Sequence, residues 1–310
     1  MNEHPDGARS SSAPLSDSIA AMCAAHGPVA SSARFPVGTV FGDWRLTAFI
    51  GRGGNGEVYC AEHVTLGFPA AVKTLIRDDE RAKIRFEREA RLLAKLKSAA
   101  FPRFWAYGES NGTEYLAMEL LEPGELPTGD SAVAMFMLKV CDAVGELHSL
   151  GYVHRDIKPS NILWRMGASR SRTTSEPVLA DLGLVKALGS TESKASKRAN
   201  AQTTIGGVGT PGYGAPEQME RGEVTEASDI HALGVLADRC FDGNPPRNWA
   251  RIIMRATSSI PAHRYQVVAE LIQAIRWRNL WRNVGKIALC LFLVGLFVDI
   301  LIAAAVIWLW

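Results

Sequence analysis

Tyr152-Val153-His154-Arg155-Asp156-Ile157-Lys158-Pro159-Ser160-Asn161 is the stretch from which the rest of the chain is read. It sets a carboxylate, Asp156, five residues before an amide, Asn161, with Lys158 between them. A carboxylate can orient an attacking hydroxyl, an amide oxygen is a neutral ligand for a divalent cation, and an ammonium can neutralise charge on a moving phosphate. One such loop can arise by chance, so its meaning depends on what surrounds it.

The chain has 310 residues, 47% hydrophobic and 21% charged, enough for one large domain or two small ones with a real core. A net charge of +2 gives no global field that would select nucleic acid, and no nucleic-acid partner is expected. Cys23, Cys60, Cys141, Cys240 and Cys290 are scattered and without metal-ligand spacing, which predicts a reducing compartment and no disulfide framework. Residues 1–38 are rich in Ser, Ala, Gly and Pro, and a disordered tail is expected there. Mixed early charges and the lack of an apolar core argue against a secretion signal.

Residues 46–58 read as strand, glycine turn, strand. The turn is Gly51-Arg52-Gly53-Gly54-Asn55-Gly56, followed by Glu57 and Val58. Glycines let the backbone approach phosphate oxygens closely. A dinucleotide fold would continue into a helix, whereas Val58-Tyr59-Cys60 continues as strand. Ala70-Ala71-Val72-Lys73 then reads as a strand ending in a lysine. Residues 81–97 form a helical pattern with Ala82, Phe86, Leu93 and Leu96 on one stripe, and the residue at 89 on that stripe is glutamate. A buried acid needs a partner. Either Lys73 supplies it, or the helix is slightly rotated and Glu89 pairs with surface arginines such as Arg85. Residues 101–107 and 113–119 read as a hairpin turning at Glu109-Ser110-Asn111-Gly112.

In the second half, residues 131–150 form a helical run with Met135, Leu138, Val144 and Leu147 as its apolar positions. Ile162-Leu163-Trp164 and Pro177-Val178-Leu179-Ala180 read as strands around an Arg- and Ser-rich insert at 165–176, expected to be a solvated loop. Asp181-Leu182-Gly183 follows, then a polar stretch at 184–205, then Gly209-Thr210-Pro211-Gly212-Tyr213-Gly214-Ala215-Pro216-Glu217.

Glycine turn, lysine, helix glutamate, His-Arg-Asp loop, Asp-x-Gly and Ala-Pro-Glu stand in order, and over residues 44–275 the chain resembles the Hanks-type serine/threonine protein kinases, most of all their bacterial membrane-linked members. The resemblance implies an α+β fold of two lobes, a β-rich one at 39–121 and a helical one at 125–276. It implies ATP and Mg²⁺, with Mn²⁺ as an alternative, and protein substrates with Ser or Thr acceptors. Gly51, Arg52, Gly53, Gly54, Asn55, Gly56, Val58, Ala71 and Lys73 would hold the nucleotide. Met118 would back the adenine pocket, and the backbones of Glu119 and Leu121 would bond the adenine edge. Asn161 and Asp181 would hold the metal, and Asp156 would receive the acceptor proton. Lys158 and Thr210 would stand beside Asp156, and Lys73–Glu89 would be an activity switch. Leu182 replaces the family's usual Phe and would lie between Leu93 and His154. Thr203 and Thr204 would be phosphorylated and pair with Arg155. Asp229 would hold the catalytic-loop backbone, and Arg264 would pair with Glu217. The short stretch at 242–246 suggests that a substrate-docking helix is reduced.

Residues 287–310 carry one charge, Asp299. As a helix they would span about 36 Å, enough for a bilayer core. Arg276, Arg278, Arg282 and Lys286 precede the run in a basic segment at 277–286 and its flank, which predicts a cytoplasmic domain on a C-terminal anchor in the cell membrane, without an extracellular sensor. Trp277, Trp281, Trp308 and Trp310 would sit at the interfaces, and Asp299 would face a partner helix in self-association. Two other readings compete with this one. A pseudokinase-like scaffold is weakly supported by the short second lobe and Leu182, and opposed by intact Lys73, Asp156, Asn161 and Asp181. A small-molecule phosphotransferase is opposed by Lys158, Thr210 and Ala-Pro-Glu.

Overall fold

The computed structural model of the chain describes residues 33–53, 56–77, 79–165, 175–187 and 210–308; for 279–288 and 299–308 it describes the backbone alone. Two compact units are formed by stretches that interleave in sequence. Among the described residues, the first takes those up to Glu125 together with those of Pro159–Val185, and the second takes Leu126–Lys158 with those from Lys186 onward. The sequence suggested a single boundary near 121–125.

Among the described residues, the first unit holds a six-stranded antiparallel sheet and a helix that follows its fourth strand. Its strands are β1 (Val40–Phe41), β2 (Trp44–Arg52), β3 (Gly56–His63), β4 (Pro69–Leu75), β5 (Phe104–Ser110) and β6 (Thr113–Met118), in the order β1-β2-β3-β4-β6-β5. The expected hairpin is present, but its turn is two residues long. Asn111 and Gly112 both take positive φ, 54° and 70°, the geometry that matches strand twist in tight hairpins. Gly56 is required by packing, because a Cβ there would lie 2.4 Å from the Thr74 carbonyl oxygen on β4.

Helix α1 (Glu80–Lys95) is capped by the Asp79 carboxylate, which accepts from Ala82 N at 2.9 Å. Ala82, Phe86, Leu93 and Leu96 are buried, as the periodicity predicts, and so is Glu89. Strands β7 (Tyr152–Val153) and β10 (Lys186–Ala187) pair in the second unit. Strands β8 (Ile162–Arg165) and β9 (Glu176–Leu179) pair in the first. Arg165 and Glu176, read as the ends of a solvated insert, are instead the paired ends of these strands.

The presumed tail also reaches the first unit at its C-terminal end. Phe35 packs edge-on against Phe41 at 4.9 Å, and its N–H donates to the Tyr59 hydroxyl at 3.1 Å. Cys60, fully buried on β3, is disulfide-bonded, contrary to the expectation of free thiols. The sequence spacing of scattered cysteines carries no information about such a pairing. Cys141 and Cys240 are buried free thiols, Cys290 is an exposed one, and Cys23 lies outside the described residues.

The second unit is helical: α2 (Asp130–Ser149), α3 (Pro216–Arg221), α4 (Glu226–Arg239), α5 (Arg247–Ala256) and α6 (Val268–Trp308). Helix α2 buries Val133, Met137, Val140, Val144 and Leu147, while Met135, expected inside, is exposed. The small residues Ala134 and Ala143 are also buried, so the inward face is wider than the large side chains alone indicate. Between α4 and α5 the chain makes only a short turn, as expected.

Arg278 on α6 is buried, paired with the Asp130 carboxylate and stacked over Trp249 at 4.6 Å, while Trp249 Nε1 donates to the same carboxylate at 2.9 Å. It is therefore a fastening of α6 to α2 and α5 rather than one of the free juxtamembrane charges the sequence suggested. Among the described residues no helix is long and apolar enough to cross a membrane. Of the run at 287–310, side chains are described only over 289–298, and these are exposed. Asp299, Trp308 and Trp310 lie outside the described side chains.

Arg264 is the buried tie of the second unit. Its guanidinium donates to both Glu217 oxygens at 2.8 Å, to the Ser258 carbonyl at 2.7 Å and to the Ala227 carbonyl at 2.9 Å. Burial pushes the Glu217 carboxyl up, but hydrogen bonds from Arg264 and Ser228, with the arginine's charge, hold it below its usual range. Arg264→Ala should cost about 3–5 kcal/mol at neutral pH by leaving a buried carboxylate without its cation. Because the carboxyl is depressed in the fold, the stability it confers is full above 4.5 and is lost as pH falls through its lower folded value. Thermal melts of both chains should therefore converge in acid.

Candidate active site

In the first unit, β4 presents Lys73 to Glu89 on α1. Lys73 Nζ lies 2.6 and 2.9 Å from the two Glu89 oxygens and 3.2 Å from Asp181 Oδ1. The pair is buried, so Glu89 takes Lys73 and not the surface arginines as its partner. Burial alone would lower the Lys73 pKa, but Glu89 and then Asp181 outweigh it and keep the ammonium charged. Burial pushes Glu89 up, against the pull of Lys73.

Asp181 has φ 56° and ψ 77°, a left-handed conformation that costs a non-glycine residue about 1–3 kcal/mol. Its carboxylate accepts from Gly183 N at 3.4 Å as well as from Lys73, so the strained carboxylate is fixed in direction. Leu182 is buried in the short 3-10 turn that follows, and α1 packs against this turn. Asn161 is buried, and its backbone carbonyl accepts from Ala180 N at 2.8 Å, which ties this residue's main chain to the segment leading into Asp181.

Among the described residues no three His, Cys, Asp or Glu side chains cluster as a metal site. Mg²⁺ takes one or two carboxylates and completes its octahedron with phosphates and water, so the oxygen donors Asn161 and Asp181 fit that ion with a nucleotide. The glycine turn fits as well. A Cβ on Gly51 would meet nothing within 4 Å, and one on Gly53 would meet only the Gly56 carbonyl at 4.0 Å. Packing among the described residues does not require these two glycines, and their bare backbone suits close approach by phosphate. Gly54 and Asn55 lie outside the described residues.

Val58 and Met118 pack with Ile50 against buried Ala71 and Leu120, an apolar patch suited to a flat base. The Glu119 N–H donates to the Arg103 carbonyl at 2.8 Å, which leaves its own carbonyl as the group it can offer an adenine edge. The Glu119 side chain is held by Arg165 at 2.7 and 2.6 Å, and Leu121 is buried.

In the second unit, Asp156, Lys158 and Thr210 close a triangle. The Thr210 hydroxyl donates to Asp156 Oδ1 at 2.7 Å, Lys158 Nζ donates to Thr210 Oγ1 at 2.8 Å, and Lys158 lies 2.7 Å from Asp156 Oδ2. Asp229 at the start of α4 is buried and accepts from the N–H groups of His154 and Arg155, each at 2.8 Å. Arg155 has φ 76°, and these bonds hold that strained backbone. Two further supports have no local sequence signature. His148 Nε2 lies 2.8 Å from Asp229, and Gln218 Nε2 donates to the Arg155 carbonyl at 2.7 Å. Gln218 adjoins the Ala-Pro-Glu motif, but no pattern marks either residue. Thr203 and Thr204 lie outside the described residues.

Lys73→Met removes the cation between two carboxylates. If the chain turns over ATP, kcat/KM of the full chain should fall by about 10²-fold or more in this variant, with the fold retained by circular dichroism.

Comparison with known proteins agrees with this geometry. The family described as "Protein kinase domain" matches residues 44–279. The serine/threonine-protein kinase PknH of Mycobacterium bovis is 33% identical over 222 residues, 68% of this chain and 35% of that protein. Serine/threonine-protein kinase pkn2 of Myxococcus xanthus is 34% identical over 227 residues, 67% of this chain and 26% of that protein. The chain thus spans well under half the length of these two relatives. The crystal structure of the Mycobacterium tuberculosis PknI kinase domain superposes with a TM-score of 0.57 at 21% identity, covering 79% of this chain and 99% of that one, a likeness of fold. With the family match over residues 44–279 and these relatives, the chain belongs to the protein kinase family, in the company of the bacterial serine/threonine kinases.

Proposed function

We propose that this chain is an ATP-dependent serine/threonine protein kinase. The observation that carries this reading is the Asp156–Lys158–Thr210 triangle, in which a hydroxyl already donates to the carboxylate beside an ammonium. An acceptor serine or threonine would address Asp156 in the same manner, giving up its proton as its oxygen attacks the terminal phosphorus. Lys158 offsets charge on the phosphoryl group in transit. Lys73, kept cationic by Glu89, binds the α- and β-phosphates, and the glycine turn supports the phosphates from its backbone. Asn161 and Asp181 would hold Mg²⁺ or Mn²⁺, which neutralises phosphate charge. A scaffold without catalysis would have no use for both charged sets.

Labelled ATP supplied with Mg²⁺ to the full chain should label a generic Ser/Thr protein acceptor. The label should be lost with EDTA and reduced by at least about 10³-fold in Asp156→Asn. ATP binding without transfer would favour the scaffold. Autophosphorylation at Thr203 or Thr204, with Arg155 as the phosphate's partner, is part of the same proposal, and mass spectrometry of the ATP-treated chain should find those sites modified.

The second part of the proposal is a membrane tether. It is supported by the run at 287–310 with its single charge, by Arg276, Arg282 and Lys286 ahead of it, and by the exposed apolar side chains over 289–298. The full chain should float with lipid vesicles and resist carbonate extraction, while a chain ending at 286 should do neither. Crosslinking of the full chain in those vesicles should weaken in Asp299→Leu if Asp299 joins two copies.

A further inference from the structure

Glu57 follows the glycine turn and is wholly buried, yet it plays no part in the chemistry described above. Its carboxylate has three kinds of partner. The Tyr59 hydroxyl donates to Oε2 at 2.5 Å. Arg52 donates to Oε1 through Nε at 2.9 Å and also through Nη2. The backbone N–H of Arg34 donates at 3.1 and 3.3 Å.

These partners come from different places. Arg52 sits between Gly51 and Gly53 on the opposite arm of the turn, directly across from Glu57 in the β2–β3 ladder. Arg34 belongs to the segment before the sheet. Its side chain reaches the Leu75 and Ile76 carbonyls at 3.5 Å, and the next residue, Phe35, bonds the same Tyr59 hydroxyl. One carboxylate therefore cross-links both arms of the turn to the incoming chain.

The turn needs such a link. Gly51 and Gly53 have no side chains to pack and the widest backbone freedom, so ordering the turn around phosphate is costly in entropy. A fixed ion pair across its base, anchored from behind by Tyr59 and Arg34, removes part of that cost before the nucleotide arrives. Burial pushes the Glu57 carboxyl up, but Tyr59, Arg52 and the Arg34 N–H outweigh it, so the link stays ionised at neutral pH.

We propose that Glu57 is a positioning residue that sets ATP affinity by locking Arg52 across the glycine turn, with the Arg34–Phe35 segment as the outer half of the lock. The proposal rests on the kinase reading above. It makes the chain before the sheet a determinant of nucleotide binding.

The test uses the full chain with ATP and a generic protein acceptor. Glu57→Gln should raise KM for ATP about three- to tenfold, with kcat within about twofold and KM for the acceptor unchanged, and Arg52→Ala should raise KM for ATP at least as much. Arg52 is half-exposed, so its variant keeps the experiment meaningful if Glu57→Gln folds poorly. The double variant should be no worse than the more affected single one, because both remove one interaction. Arg34→Pro, which deletes the N–H on Glu57, should move KM for ATP in the same direction. An unchanged KM for ATP in Arg52→Ala and Glu57→Gln, even with a lowered melting temperature, would overturn the proposal, as would additive losses in the double variant. An unchanged KM in Arg34→Pro alone would overturn the outer half of the lock. A wild-type chain that turns over no ATP would remove the kinase reading and this proposal with it.

Discussion

The buried ammonium of Lys73 is the constraint on which the first unit is arranged. A single charge in that setting is costly unless it is paired and hydrogen-bonded. Glu89 and Asp181 supply the pairing from two places far apart in sequence, a helix and the turn after β9. The sheet, α1 and the Asp181 turn must all hold register for the three groups to meet. The charges also make the arrangement polar where apolar packing would have been more stabilising, which is expected where a site serves chemistry. The same arrangement explains why Asp181 is held in a left-handed conformation: the carboxylate is directed by the ion pair and by Gly183 N, and the fold bears the strain.

The second unit follows the same physical logic with a different group. Asp229 is a buried carboxylate whose Oδ2 lies 2.8 Å from His148 Nε2, and the backbone N–H groups of His154 and Arg155 donate to it. Hydrogen bonds from backbone to carboxylate are among the stronger ones, and here they impose the positive φ of Arg155 on the loop that carries Asp156. Gln218 secures the carbonyl side of that peptide, and Arg264 secures Glu217 beside it. A chain of buried polar groups thus stands behind the Asp156–Lys158–Thr210 triangle, with the Asp229 and Glu217 carboxylates both hydrogen-bonded.

Much of this was legible in the sequence, for reasons that differ by residue. Glu89 was found because an acid on an apolar stripe demands a partner. The glycine turn, Lys73, Asp156, Asn161 and Asp181 were found because their chemistry fixes both residue type and spacing. Met135 was misplaced because a helix that buries small residues as well as large ones hides its true inward face from a count of large apolar side chains. Local pattern presents Arg165 and Arg278 as solvated charges. The structure gives each a partner, Glu119 and Asp130, that lies 46 and 148 residues away and leaves no trace in local pattern.

The sequence by itself determined the class of chemistry, the order of the strands' motifs and the helix that carries Glu89, because these depend on local periodicity and on residue types that no other task requires together. Only the tertiary structure decided which acid Lys73 takes, how Asp229 holds the loop, that Cys60 is bonded, and that Glu57 ties the glycine turn to the chain before the sheet. Those are outcomes of burial and of contacts between distant segments, where the cost of an unpaired charge selects the partner, and that cost is not visible until the chain is folded.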